Sequence, residues 1–295
     1  MGAPEAVRAD RTLSRCGLWA VGPRQLALPI EARGLSEVTI ASGGLQLTPD
    51  YDVLAWLCER WAAHPTPSGV MRPTLYELGR DLYAAAPGGT DYRTLRASLW
   101  RLAGITVEIA GIDALTGEPG DVETRGGLVS VARPRVHANG GDRISVELDG
   151  WLRRAISDGA PVRIPWRTLR LFGRNQQVAK RLWIYLAAER WKRCGDGRRE
   201  GCWIACGDRL EAALGMDYKR PVDARVALRR ACQAIRRTDA RYAAGSLEVV
   251  KFGRSWRIQA ERPTWEDWRE LRDEHAAVRA VFETSPLGRA EPESA

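Results

Sequence analysis

One succession of segments occurs twice along this chain: helix, helix, turn, helix, paired strands. The first pass opens at Leu47-Thr48-Pro49-Asp50, with Thr48 as N-cap, Pro49 at the first helical position and an acid at the helix's positive end. Val53, Leu54, Leu57 and Trp61 follow at helical spacing, and Pro65 and Pro67 close the segment. A second helix starts at Thr74-Leu75-Tyr76-Glu77, whose Thr-x-x-Glu forms a capping box, with Leu75, Leu78 and Leu82 inward. After the turn Pro87-Gly88-Gly89, a third helix runs from Thr90 to Leu102 with Tyr92, Leu95, Leu99 and Leu102 inside. Strand-forming runs follow at Ile105–Ile109, Leu128–Val131 and Ile144–Leu148.

The second pass predicts a helix from Asn175 to Lys192 with Val178, Leu182, Tyr185 and Leu186 inward. Its closing Glu189-Arg190-Trp191 echoes Glu59-Arg60-Trp61 in the first pass. A short strand, Cys202–Ala205, leads to a helix begun by Asp208 and ended by Gly215. Pro221 opens a long helix to Thr238, and Leu247–Val250 and Ser255–Ile258 form a hairpin joined at Phe252-Gly253-Arg254. This order predicts an α+β fold, mainly α, of two tandem winged-helix domains with β-hairpin wings, each offering its last helix to a DNA groove. The expected divisions are an N-terminal extension, partly mobile, over 1–39, and a first winged helix over 40–160. A second follows over 161–262, then a C-terminal helix over 263–284 led by Trp265 and Trp268, and a mobile tail over 285–295.

Charge separates the two passes. The chain carries 45 Lys+Arg and 37 Asp+Glu, net +8. From Val162 to Arg262 there are 24 basic and 10 acidic residues, net +14, so the remainder stands at −6. A positively charged second module favours a polyanionic partner. With Leu228 facing the core, Ala224, Ala231, Cys232 and Ile235 share its side of the long helix. The outer side gathers Arg229, Arg230, Gln233, Arg236 and Arg237, with Arg225 at the margin and Lys219 and Arg220 at the N-terminal turn. Arginine pairs bidentately with guanine and glutamine with adenine, while further cations hold phosphates. Lys251, Arg254 and Arg257 would form the flanking wing; Phe252 and Trp256 read as hairpin packing residues. The equivalent helix of the first pass offers Arg93, Arg96, Trp100 and Arg101 as an auxiliary DNA or dimer contact, unless its phase is displaced and Trp100 is core. Trp183, Trp191 and Trp203 sit in apolar sequence surroundings and are expected inside.

Other classes find little support in the residues. No apolar run reaches the ~20 residues of a membrane span, and the first residues lack the apolar stretch of a signal peptide, which points to the cytoplasm. Six cysteines in 295 residues do not make a disulfide framework; Cys194, Cys202 and Cys206 lack a Cys-x-x-Cys pair, so buried thiols are expected and no metal. Neither a phosphate-cradling Gly-x-x-x-x-Gly-Lys-Ser/Thr loop nor His-x-His, Gly-x-Ser-x-Gly or His-Glu-x-x-His occurs, so no catalytic residue and no enzyme is expected. Asp50 with Asp52, and Glu266 with Asp267, read as helix N-terminal charge.

Two stretches carry a family likeness: Leu47–Leu54, and Thr74–Leu78 followed by Gly88–Leu102, where Leu95-Arg96-Ala97-Ser98-Leu99-Trp100-Arg101-Leu102 is the most distinctive run. Over 40–191 the chain resembles the plasmid replication initiator protein A family; beyond Cys194 no motif matches residue by residue. The resemblance implies a bacterial protein with tandem winged helices that binds direct repeats in a plasmid origin. It also implies origin opening, self-association as monomer and dimer, recruitment of the host replication initiator and helicase, and no cofactor. A winged-helix transcriptional regulator, recognising inverted symmetry, and an interaction scaffold are the alternatives the residues leave open.

Overall fold

The first repeat opens on a single π-helical turn, Leu47–Tyr51, which runs into helix α1 (Asp52–Ala63). The computed structural model describes residues 6–9, 13, 19–20, 45–83, 86–109, 124–132, 143–159, 161–189, 191–194, 198–216, 218–264 and 267. Thr48 is extended (φ −127°, ψ 122°), as a residue before a helix should be, and its hydroxyl hydrogen-bonds the side chain of Asp52, the first residue of α1. The same hydroxyl accepts a hydrogen bond from Lys180 Nζ at 2.7 Å, and the Thr48–Pro49 peptide is cis. Asp50 takes over at the entry, accepting the Gln46 N–H at 2.8 Å. Helix α2 (Leu75–Tyr83) begins with the expected capping box: Glu77 N–H donates to Thr74 Oγ1 at 3.0 Å and Thr74 N–H to Glu77 Oε2 at 2.9 Å. Helix α3 (Gly89–Ala103) follows, with Leu95, Leu99 and Leu102 buried and Tyr92 partly so.

The second repeat comprises α6 (Gln177–Ala188), strand β11 (Arg199–Ala205), α7 (Asp208–Ala213) and α8 (Pro221–Thr238). A short α9 (Ala240–Ala244) precedes the hairpin β12 (Ser246–Phe252) and β13 (Ser255–Pro263). Between the repeats lie α4 (Gly150–Ser157), β9 (Val162–Pro165) and α5 (Trp166–Leu171). Strand β1 (Ala6–Ala9) pairs antiparallel with β9, so part of the N-terminal stretch is tied to this junction. Among the described residues, β2 (Trp19–Ala20) also pairs parallel with β3 (Leu45–Gln46).

Strand pairing makes the two repeats topologically alike. In the first, β4 (Val70–Met71), between α1 and α2, pairs with β8 (Ser145–Leu148), which pairs with β7 (Val129–Ala132). In the second, β11, between α6 and α7, pairs with β13, which pairs with β12. The early strand thus joins the last strand of the hairpin both times. One detail departs from expectation: the strand run Ile105–Ile109 does not join the first repeat's sheet, and β5 (Thr106–Ile109) instead pairs with β6 (Thr124–Gly127) in a separate hairpin. The second hairpin is half of a four-stranded sheet, β10 (Lys192–Arg193)-β11-β13-β12.

The Glu-Arg-Trp echo is not structurally equivalent. Glu59–Trp61 lies inside the last turns of α1, and Trp61 Nε1 donates forward to the Thr66 carbonyl at 3.4 Å. α6 has already ended at Ala188, with Glu189 extended (φ −72°, ψ 163°), and Trp191 Nε1 donates back to the Leu186 carbonyl at 2.8 Å. The segment expected to be helical up to Lys192 thus turns into strand. Of the expected C-terminal helix and tail, only Pro263, Thr264 and Asp267 fall within the described residues.

Buried charge fastens the repeats together. Lys180 Nζ, on α6, donates to Asp52 Oδ2 on α1 at 2.7 Å, both groups inside. Burial pushes the Asp52 carboxyl above its ordinary range, against the pull of Lys180. Trp166 Nε1, fully buried on α5, donates to the Asp81 carbonyl at 3.2 Å, and Trp56 Nε1 to the Asp81 carboxylate at 3.1 Å. Asp50 and Asp52 are therefore more than helix N-terminal charge: each anchors a cation from another element.

Candidate nucleic-acid interface

Helix α8 runs from Pro221 to Thr238, the span that its Pro221 start and Leu228 periodicity predict. Arg220 is extended (φ −122°, ψ 130°), and Pro221 supplies a pre-set φ at a position that needs no N–H donor. Asp223 binds the Arg220 guanidinium bidentately, Nε–Oδ2 2.8 Å and Nη2–Oδ1 3.0 Å, which raises the Arg220 pKa. At the other end the Asp239 carboxylate accepts the Trp183 indole N–H at 2.8 Å and the Arg241 N–H at 3.0 Å, starting α9. Arg236 and Arg237 occupy the last turn, where cations complement the helix dipole. Ala224, Leu228, Ala231, Cys232 and Ile235 form the buried stripe, packing on α6 and β12. Burying a leucine such as Leu228 is worth about 1.5–3 kcal/mol, which fixes the helix rotation and so the outer face.

That outer face is as expected for most of its residues. Arg229, Arg230, Gln233, Arg236 and Arg237 are exposed, as are Lys219 and Arg220 ahead of the helix. Arg225 is half-buried; its guanidinium and that of Arg229 lie 5.4 and 5.0 Å from the Trp256 ring centroid on β13. These cation–π contacts hold two arginines between helix and hairpin and account for Trp256 as a packing residue.

On the hairpin, Gly253 (φ +59°) makes the two-residue turn that the register Phe252↔Ser255 demands. Lys251 is exposed and pairs across the strands with Trp256, so it shares the α8 side of the sheet; Arg254 is exposed at the turn. Arg257 does not join them. Strand alternation turns it to the opposite sheet face, where its guanidinium lies 4.4 Å from the Phe252 ring centroid and donates to Gln259 Oε1 at 3.2 Å.

On α3, Arg93, Arg96 and Trp100 are exposed, Trp100 by 42%, so the helix phase was right. Arg101 has a different role from the one expected. Its Nε and Nη2 donate to the fully buried Asp50 carboxylate at 2.8 and 2.7 Å, raising the arginine's pKa.

Several features escaped sequence reasoning. Phe252 and Trp203, read as packing residues, are 59% and 67% exposed on the sheet's outer face, because strand alternation outweighs apolar neighbours in sequence. Val222 and Val226 are also exposed on α8; their angular distance from Leu228 was the available signal. Part of the second module's charge faces inward. Lys180 and Arg181 are buried, Arg181 Nη2 donating to the Ala213 carbonyl at 2.9 Å. Arg262 reaches Glu200 at 2.6 Å and Tyr242 Oη at 3.1 Å over the Trp191 ring, and Arg241 meets Glu200 at 3.1 Å.

Burial pushes the Cys202, Cys206 and Cys232 thiols up to about 12, about 11 and about 12. Among the described residues, no three His, Cys, Asp or Glu side chains gather as a metal site, and no helix is long and apolar enough to cross a membrane.

No family model and no curated protein matches the chain. Among solved structures, domains 2 and 3 of RctB, crystallised as selenomethionine derivatives, are similar over 86% of this chain and 98% of that one, at 9% identity and a TM-score of 0.44. So loose a likeness fixes neither a shared fold nor a shared function.

Proposed function

We propose that this chain is a bacterial, cytoplasmic plasmid replication initiator that binds double-stranded DNA through two tandem winged-helix modules, over 40–160 and 161–262. The observation that carries the reading is the exposed Arg229-Arg230-Gln233-Arg236-Arg237 face of α8, flanked by Lys251 and Arg254 on the adjoining hairpin. Such a face supplies major-groove donors along the helix and phosphate contacts at both sides. The repeated topology, with an early strand joined to the last strand of a hairpin, supports duplication of one module. The sequence resemblance supports direct repeats at an origin as the target, self-association through the less basic first module, and recruitment of host initiator and helicase. The role is binding and origin opening, with no catalytic residue and no cofactor.

Footprinting the purified chain on DNA flanking its own gene, at two salt concentrations, tests this. Protected direct repeats spaced by whole helical turns are expected. A lone inverted repeat over the promoter would favour a regulator, and no protection would remove the reading.

A further inference from the structure

Val222 and Val226 break the polar outer face of α8, 48% and 40% exposed. Neither is there for helix stability: β-branched residues are weaker helix formers than the Lys, Glu or Arg a solvated face would carry. Nor do they belong to the core, since Ala224, Leu228, Ala231, Cys232 and Ile235 make up the buried stripe. At 100° per residue from Leu228, Val222 and Val226 fall on the same outward sector as Gln233. Both lie in the first half of the helix, the part of a recognition helix that meets base edges. Lys219, Arg229 and Arg230 surround them, all exposed, while Asp223 is taken up by Arg220, so the charge around the valines is net positive and suits a polyanionic partner. In a major groove the small apolar group available is the thymine C5-methyl.

We propose that Val222 and Val226 are specificity-determining residues that read thymine methyl groups, whereas Gln233 and the arginines make the polar contacts. This rests on α8 being the DNA-reading helix. Four residues at 1.5 Å per residue separate the valines by about 6 Å, under two base-pair steps of ~3.4 Å, so the methyls recognised lie on adjacent or next-adjacent pairs.

The test uses duplexes selected by the full chain from a random-sequence pool, remade with single thymines replaced by deoxyuracil, which lacks only the methyl. At one or two neighbouring positions affinity should drop about three- to five-fold per methyl, in line with losing one buried CH₂-sized group. Val222→Ala and Val226→Ala, both at exposed positions, should each lose affinity for the thymine duplex and become insensitive to deoxyuracil at one position. Binding that ignores deoxyuracil throughout, or a deoxyuracil effect unchanged in both variants, overturns the inference and leaves DNA binding by α8 intact. Failure to enrich any sequence overturns the DNA-reading helix itself, and the valine assignment with it.

Discussion

Replacing Asp50 by alanine should destabilise the protein more than any surface substitution. Asp50 has no exposed area, accepts two hydrogen bonds from Arg101 at 2.8 and 2.7 Å, and accepts the Gln46 N–H at 2.8 Å. Removing one partner of a buried charge pair costs about 3–5 kcal/mol, because the other is left unpaired. The Arg101 side chain keeps 30% of its surface exposed and can turn to water, which places the loss near the lower bound. Orphaning the Gln46 N–H adds about 1 kcal/mol, for a total of about 4 kcal/mol. At roughly 2–4 °C per kcal/mol for a chain of this size, the melting temperature should fall by about 8–16 °C. A thermal-melt cycle of Asp50→Ala, Arg101→Met and the double variant isolates the pair. Arg101→Met should cost far less in the Asp50→Ala background, with a coupling of about 2 kcal/mol. A coupling within about 0.5 kcal/mol of zero would refute the reasoning, since the 2.7 Å contact would then carry no energy.

Three further outcomes follow from other sites. The Glu77 carboxyl sits below its usual range: partial burial pushes upward, but the Thr74 N–H and the Arg60 charge outweigh it. Its stabilisation is therefore complete above the ordinary glutamate pKa and is lost as pH falls through the lower folded value; Glu77→Gln should flatten that acid limb in urea titrations. Gly245→Ala should cost about 2–3 kcal/mol in the same assay, because its Cβ would collide with the Glu261 carbonyl oxygen, a backbone atom that cannot step aside. In gel-shift titrations Lys251→Ala should weaken DNA binding evenly across sequences, whereas Arg257→Ala, on the far sheet face, should leave affinity within about twofold.

Local patterns were legible where side chains interact close in sequence. The Thr74–Glu77 capping box, the Pro221 helix start and the Leu228 stripe depend on neighbours three to eleven residues away, and all three formed as read. Long-range partnerships were not legible. Nothing near Arg101 in sequence announces Asp50, 51 residues away, and nothing near Lys180 announces Asp52, 128 residues away. The net charge of the second module consequently overstated its outer face, since Lys180, Arg181, Arg241 and Arg262 are taken up internally. Strand partners were hidden for a related reason. The two-residue β4 is too short to show alternation, and the sidedness of Trp203 and Arg257 depends on the register of β11 against β13.

The most direct test of α8 as the DNA-reading face is the salt dependence of binding for wild type and for Arg229→Ala/Arg230→Ala/Arg236→Ala. Each phosphate contact contributes about 0.9 to the slope of log K against log salt. The account predicts a large loss of affinity, together with a slope shallower by about 1 for each substituted arginine that holds a phosphate and with sequence preference relaxed where one reads a base. Unchanged affinity and an unchanged slope in a variant that remains folded would contradict it.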